Sequence, residues 1–191
     1  LPILVVGETV GTLFVDFVEA MEQDLSYQLQ AIDASGNQSD WSSSVSHRLA
    51  GSGIQPEAIV DEVDGAPWVV RTGTWSVRTN SAAYNGRFVQ DDNSDKGAKS
   101  ISFSPQAPVD GIHDIEMWYP PRGNADTKIP VTVDVDGTPE KIALDQTANG
   151  QRWNRIGTRT LSRGQTCRVL IENFGTKNYV QADAVRLKMR N

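Results

Sequence analysis

The chain has 191 residues, 38% of them hydrophobic and 22% charged, with a formal net charge of -6 and a single cysteine. That length admits one large domain or two small ones, each able to bury a core. One cysteine excludes an intrachain disulfide and a cysteine-based zinc site, the acidic balance gives no electrostatic ground for nucleic-acid binding, and no apolar run approaches the roughly 18 residues of a membrane span.

Charge is unevenly spread along the chain. Residues 1–50 carry seven acids against one base, Arg48, whereas residues 51–191 carry seventeen of each. Such a seam suggests two units of different origin. The opening "LPILVVGETV" has neither a start methionine nor the basic region of a signal peptide, and reads as a piece of something longer.

In chain order, helical periodicity is scarce, and short alternating runs closed by turns recur: "TLFVDF", "SYQLQAI", "SISFSP", "HDIEMWY", "VTVDVDG", "CRVLIEN" and "AVRLKM". Only "FVDFVEAMEQDL" has a spacing that admits a helix as well as a strand. Between the runs stand Pro120-Pro121, Asp136-Gly137 and Asn149-Gly150, pairs that favour tight turns. The fold class is therefore all-β, built as sandwiches. Residues 48–58, "RLAGSGIQPEA", hold two glycines, a serine and a proline with little to bury, and read as a linker.

The residues "TLFVDF" and "LSYQLQAIDASGNQSDWSSSVS" resemble the closing strands of a fibronectin type III domain. The resemblance makes residues 1–47 the carboxyl-terminal part of such a domain. Tyr27 would open its penultimate strand with Leu29 and Ala31 pointing inward, and the final strand would run from Trp41 to Ser46. The opening strands are not in the sequence.

From residue 59 to 191 the motifs are denser. "G-T-W" at Gly73 to Trp75, "W-Y-P" at Trp118 to Pro120, Asp145 to Trp153 and the closing "ADAVR" follow in an order that resembles the golvesin C-terminal domain, also found beside xanthan lyases. The resemblance implies a carbohydrate-binding-like β-sandwich of jelly-roll, galactose-binding-like type. Where the family often has an aromatic after the glycine that opens the "W-Y-P" strand, this chain has Ile112-His113, which weakens any transfer of ligand contacts.

Asp183 poses a question, because simple alternation through "YVQADAVRLKM" places it on one strand face with Val185 and Leu187. One answer is that its carboxylate bonds backbone amides or Arg186 at a strand end. The other comes from the resemblance, since the first and last strands of such sandwiches run antiparallel and their acids can share a structural cation. Asp61, Glu62, Asp64 and Asp183 would then contribute to a calcium site, which needs about six to eight oxygens. No cofactor is required. "DDNSD" (91–95) and "DVDG" (134–137) lack a complete calcium-loop pattern and read as a solvated loop and a hairpin turn.

Catalytic motifs are missing: the two histidines, His47 and His113, fall in different units, and there is no nucleophile elbow, zinc-protease helix or phosphate loop. The chain therefore reads as a non-enzyme. Sugar rings stack on exposed aromatics, and alternation in "HDIEMWY" puts Trp118 beside Asp114 and Glu116 on its polar face, a platform for glycan that the loop "PPRGNADT" could equally cover. Trp75 and Trp153 read as caps of the core. The implied function is a glycan-binding or adhesion module of a larger secreted, surface or phage protein, with polysaccharide or cell-surface glycan as partner and no membrane insertion. Its location would be extracellular, on a cell or on a virion. The rivals are a structural module that packs against copies of itself in a filament, tail fibre or envelope, and an accessory domain of a polysaccharide lyase whose active site lies outside this chain.

Overall fold

The structure, a computed structural model, describes residues 23–49 and 55–190. It divides into two compact units, Leu1–Ile54 and Gln55–Asn191. The boundary falls inside the stretch 48–58, whose two ends belong to strands: β2 runs over Val45–Leu49 and β3 over Glu57–Asp61.

In the first unit, β1 (Gln23–Tyr27) pairs antiparallel with β2. Both the penultimate and final strands expected here are displaced, because between Tyr27 and Val45 serine hydroxyls replace backbone acceptors. Ser42 Oγ accepts the Leu29 amide at 2.9 Å and Ser39 Oγ the Ala31 amide at 3.0 Å, which loosens the ladder. Asp33 closes the loop by accepting the amides of Ser35 and Asn37. Leu29, expected to point inward, is 74% exposed. "TLFVDF" and most of "FVDFVEAMEQDL" lie outside the described residues.

The second unit is a β-sandwich. Its strands after β3 are β4 (Val69–Thr72), β5 (Ser76–Thr79), β6 (Arg87–Gln90), β7 (Ser100–Phe103), β8 (Gly111–Trp118), β9 (Ile129–Val135), β10 (Thr138–Leu144), β11 (Asn154–Leu161), β12 (Arg168–Glu172), β13 (Gln181–Ala182) and β14 (Ala184–Met189). They form a five-stranded sheet in the order β10-β9-β12-β7-β4, a four-stranded sheet β11-β8-β14-β3 and a three-stranded sheet β13-β6-β5. Among the described residues every pairing between these strands is antiparallel, and there is no α-helix, only a 3-10 turn at Tyr84–Gly86. No helix among them is long and apolar enough to cross a membrane.

Alternation supplies the core. Ile101, Phe103, Val131, Val133, Val169 and Ile171 from the five-stranded sheet meet Val60, Ile115, Met117, Val185 and Leu187 from the four-stranded sheet, all buried. On β8 the pattern is as the sequence implies: His113, Ile115 and Met117 face in, while Asp114, Glu116 and Trp118 face out and are half-buried.

Asp183 departs from the simple alternation. It belongs to neither β13 nor β14, and the phase of burial changes across it: Val180 and Ala182 join the core before it, Val185 and Leu187 after it. The residue that looked misplaced is the point where the strand switches phase.

Turn chemistry accounts for the β9–β10 hairpin, where Asp136 (φ 51°) and Gly137 (φ 76°) take the left-handed conformations a two-residue turn demands. At Asn149-Gly150 the reason differs. A Cβ on Gly150 would lie 2.4 Å from Pro121 Cα, so the glycine is needed for close approach of two chain segments. "DDNSD" also differs from expectation, since Asp91 is fully buried.

Residues 55–191 expressed alone are expected to melt in one cooperative transition, and residues 1–47 alone to show none. Calorimetry checks this: a calorimetric enthalpy well above the van't Hoff value for 55–191, or a cooperative melt of 1–47, would refute it.

Candidate functional site

The outward face of the four-stranded sheet carries a lattice of opposite charges set by strand register. Arg186 stands opposite Glu116, and Lys188 opposite Asp114. Arg186 reaches Glu116 Oε2 through Nε at 2.8 Å and Nη2 at 2.5 Å, and Glu57 through Nη1 at 2.9 Å. Asp114 accepts Thr158 Oγ1 at 2.9 Å and lies 3.7 Å from Arg155 and 3.6 Å from Arg190. Both acids beside Trp118 are thus already engaged with protein partners.

Trp118 stands at the end of this face among aromatic neighbours. Its ring centroid is 6.1 Å from Tyr84 and 5.5 Å from Trp153, both in edge-to-face contact, and those two rings are tilted against each other at 5.4 Å. The Arg186 guanidinium lies 4.4 Å from the centre of the Trp153 ring. All three aromatics are half-buried, so each offers part of its surface to solvent. Trp118 Nε1 donates to the Ala82 carbonyl at 3.0 Å. The segment flanking Trp118 is therefore the Asn80–Gly86 turn, closed by bonds from Ala83 N to Asn80 O and from Asn80 N to Gly86 O.

Two tryptophans expected to cap the core separate in the structure. Trp75 does so, buried with Nε1 bonded to the Thr72 and Ser100 carbonyls. Trp153 instead joins the outward cluster. Tyr84, not singled out in the sequence, completes that cluster with Arg186, which was considered as a partner for Asp183 but pairs with Glu116 and Glu57. Tyr84 sits in a turn with no strand periodicity, and its tie to this face is its amide's bond to Asp183 Oδ2, 99 residues away.

The four acids considered for calcium are close in the fold but individually committed. Glu62 is buried between Arg71 and Arg87, with Arg87 Nε at 2.7 Å. Asp61 Oδ2 accepts Asn85 Nδ2 at 2.8 Å, and Asp64 Oδ2 accepts the Asp61 amide at 2.8 Å. Asp183 Oδ2 accepts the Tyr84 amide at 3.0 Å, one of the two bonds considered for it, while Oδ1 is buried without a partner among the described residues. Burial pushes the Asp183 carboxyl up to about 8 and also raises that of Asp61. Among the described residues no group of three or more His, Cys, Asp or Glu is arranged to hold a metal ion. A cation here would have to draw Glu62 from its arginines.

The histidine and the cysteine of the second unit are both withdrawn from solvent. His113 is fully buried with Nδ1 at 3.0 Å from the Gly111 carbonyl, and Cys167 is buried with its thiol pushed up to about 12 by desolvation, which holds it un-ionised at neutral pH.

The family model of the golvesin C-terminal domain matches residues 58–189. A xanthan lyase from Bacillus sp. (strain GL1) is 36% identical over 135 residues, covering 69% of this chain and 14% of the lyase. Golvesin from Dictyostelium discoideum is 27% identical over 128 residues, covering 65% of this chain and 21% of golvesin. Among solved structures, Paenibacillus xanthan lyase superposes with a TM-score of 0.68 at 31% identity, over 84% of this chain and 15% of the lyase. A family 35 carbohydrate binding module from Clostridium thermocellum gives a TM-score of 0.51 at 18% identity over 71% of this chain and 99% of the module, a likeness of fold. This chain spans only a small part of the length of its curated relatives, and over residues 58–189 it belongs to the golvesin C-terminal domain family.

Proposed function

We propose that this chain is a non-catalytic glycan-binding module of a larger extracellular protein. The observation that carries the reading is the cluster of Tyr84, Trp118 and Trp153 on a charged strand face, since partly open aromatic rings bordered by polar groups suit stacking on a pyranose. Relatives support it: one is a xanthan lyase, of which the match is a small part, and a fold neighbour is a carbohydrate binding module. The same relation favours an accessory role beside a polysaccharide lyase centre elsewhere in the parent chain.

Trp118 remains in the proposed site with Asp114 and Glu116 as neighbours, but Trp153 is the more telling residue, because Trp118 also anchors the Asn80–Gly86 turn. Trp153→Ala is expected to lower affinity for a soluble polysaccharide about tenfold, on the order of 1.4 kcal/mol, with circular dichroism unchanged. Trp118→Ala should lose affinity and also melt lower. Affinity electrophoresis against glucan, mannan, galactan and xanthan gels measures both. Retention of wild type on none of them, or equal retention of Trp153→Ala, rejects the reading.

A further inference from the structure

The three-stranded sheet carries polar side chains that the aromatic cluster does not use. Cross-strand register sets Ser76, Gln90 and Gln181 in one row, Ser76 opposite Gln90 and Gln90 opposite Gln181. Their neighbours Val89 and Ala182 are fully buried in the core, so the row stands on the face turned away from it. Asp92 ties the row together: it accepts from Ser76 Oγ, from Gln90 Nε2 at 2.5 Å and from Arg78 Nη2 at 2.9 Å. Those side-chain bonds hold its carboxyl below the usual carboxylate range, so it is ionised at neutral pH. Over the row reaches Arg122, whose Nη1 donates to Gln90 Oε1 at 2.7 Å and whose guanidinium lies 3.7 Å from the centre of the Tyr179 ring.

Gln181 is the unusual member. It is 1% exposed, and its main-chain amide and carbonyl are both bonded by the side chain of Gln146, yet Oε1 has no hydrogen-bond partner among the described residues. A buried acceptor left unpaired is destabilising, and an apolar residue of similar size would remove that penalty. An unpaired acceptor there, across the strand pair from Gln90 and the Arg122 guanidinium that Gln90 holds over the Tyr179 ring, supplies the parts of a ligand site.

We propose that Gln181, Gln90, Asp92, Arg78, Arg122 and Tyr179 form a further carbohydrate site on this chain, one that takes a neutral pyranose through adjacent hydroxyls. The inference rests on the glycan-binding reading but assigns a different set of residues. Amide, carboxylate and guanidinium groups each present paired donors or acceptors that match vicinal hydroxyls, and the Tyr179 ring supplies the apolar surface. Two arginines against one ionised aspartate leave too little positive charge for a polyanion and too much polarity for a lipid. In this site the sugar takes the place of Arg122 at Gln90 Oε1, and Gln181, directly across the strand pair from Gln90, offers the next acceptor.

The test uses the full chain and the same four polysaccharides. Gln181→Leu is expected to melt at or above the wild-type temperature yet bind about tenfold more weakly, and Arg122→Ala, on the connecting loop between β8 and β9, should lose affinity similarly while remaining folded. A purely structural Gln181 would give the opposite pattern, with stability lowered and affinity kept. Wild-type affinity in both variants, with Trp153→Ala weakened, overturns this site and leaves the glycan-binding reading standing. Failure of the wild type to bind any polysaccharide overturns both.

Discussion

Asp91→Ala is expected to destabilise the second unit by about 3 kcal/mol, a drop in melting temperature of roughly 10 °C for a unit of this size. The carboxylate is fully buried and serves four donors: Lys96 Nζ at 2.7 Å, Val180 N at 2.9 Å, Asn93 N at 3.0 Å and Asn173 Nδ2 at 3.2 Å. Its own carbonyl accepts Lys99 Nζ at 2.8 Å, so two lysines and two distant chain segments converge on one residue. Removing the carboxylate leaves buried donors without acceptors, the situation in which the full desolvation penalty is felt. Lys96 keeps part of its side chain in solvent, which holds the loss near the lower end of the range for broken buried pairs. Asp95→Ala is the control, because that carboxylate is mostly exposed and its buried partner Lys99 keeps its bonds to the Asp91 carbonyl and to Ser94 Oγ. Thermal denaturation of the full chain compares the two. A shift for Asp91→Ala no larger than that for Asp95→Ala would show that the network does not hold these loops.

What the sequence disclosed, and what it withheld, follows from the range of each interaction. Strands were legible wherever period-two alternation ran unbroken, as on β8, and the Asp136-Gly137 turn was legible because its conformation is a local demand of two residues. The family could be read from the order of short motifs. Asp91 could not be read correctly as part of a solvated loop, because its deciding partners are Asn173 and Val180, more than eighty residues away. Trp153 has polar sequence neighbours, which is compatible with a core cap or with an outward cluster, and only the pairing of β11 with β8 and the fold of the Asn80–Gly86 turn decide between them. Gln181 illustrates the same limit. Its significance lies in an atom without a partner, a property that composition and spacing do not carry.

Stability of the second unit is expected to fall as pH rises from about 4 toward about 8, and Asp183 is the cause. Burial raises its carboxyl to about 8; the Tyr84 amide bond works in the opposite direction, and the charges of Asp61 and Glu62 add to the rise. An unfolded aspartate releases its proton near 3.9, so between these values the folded state binds the extra proton. By linkage the contribution is complete below the unfolded value and is lost as pH climbs through the folded one, a loss on the order of several kcal/mol across the window. Asp183→Asn isolates this effect, because its carbonyl oxygen still accepts the Tyr84 amide and its NH2 group, like the protonated carboxyl, needs no charge to be buried. The variant should match the wild type below about pH 4 and exceed it increasingly as pH rises, by several kcal/mol near pH 8, measured by urea denaturation. A calcium ion held by Asp61, Glu62, Asp64 and Asp183 makes the contrary demand. It would bind the ionised form, so calcium would raise the wild-type midpoint at pH 8 by mass action and leave the variant unmoved. Coinciding wild-type curves in calcium and in chelator, together with the pH-dependent gain of Asp183→Asn, are the expected result. A calcium-dependent rise in the wild type, or a variant weaker at every pH, would assign Asp183 to a cation instead of a proton.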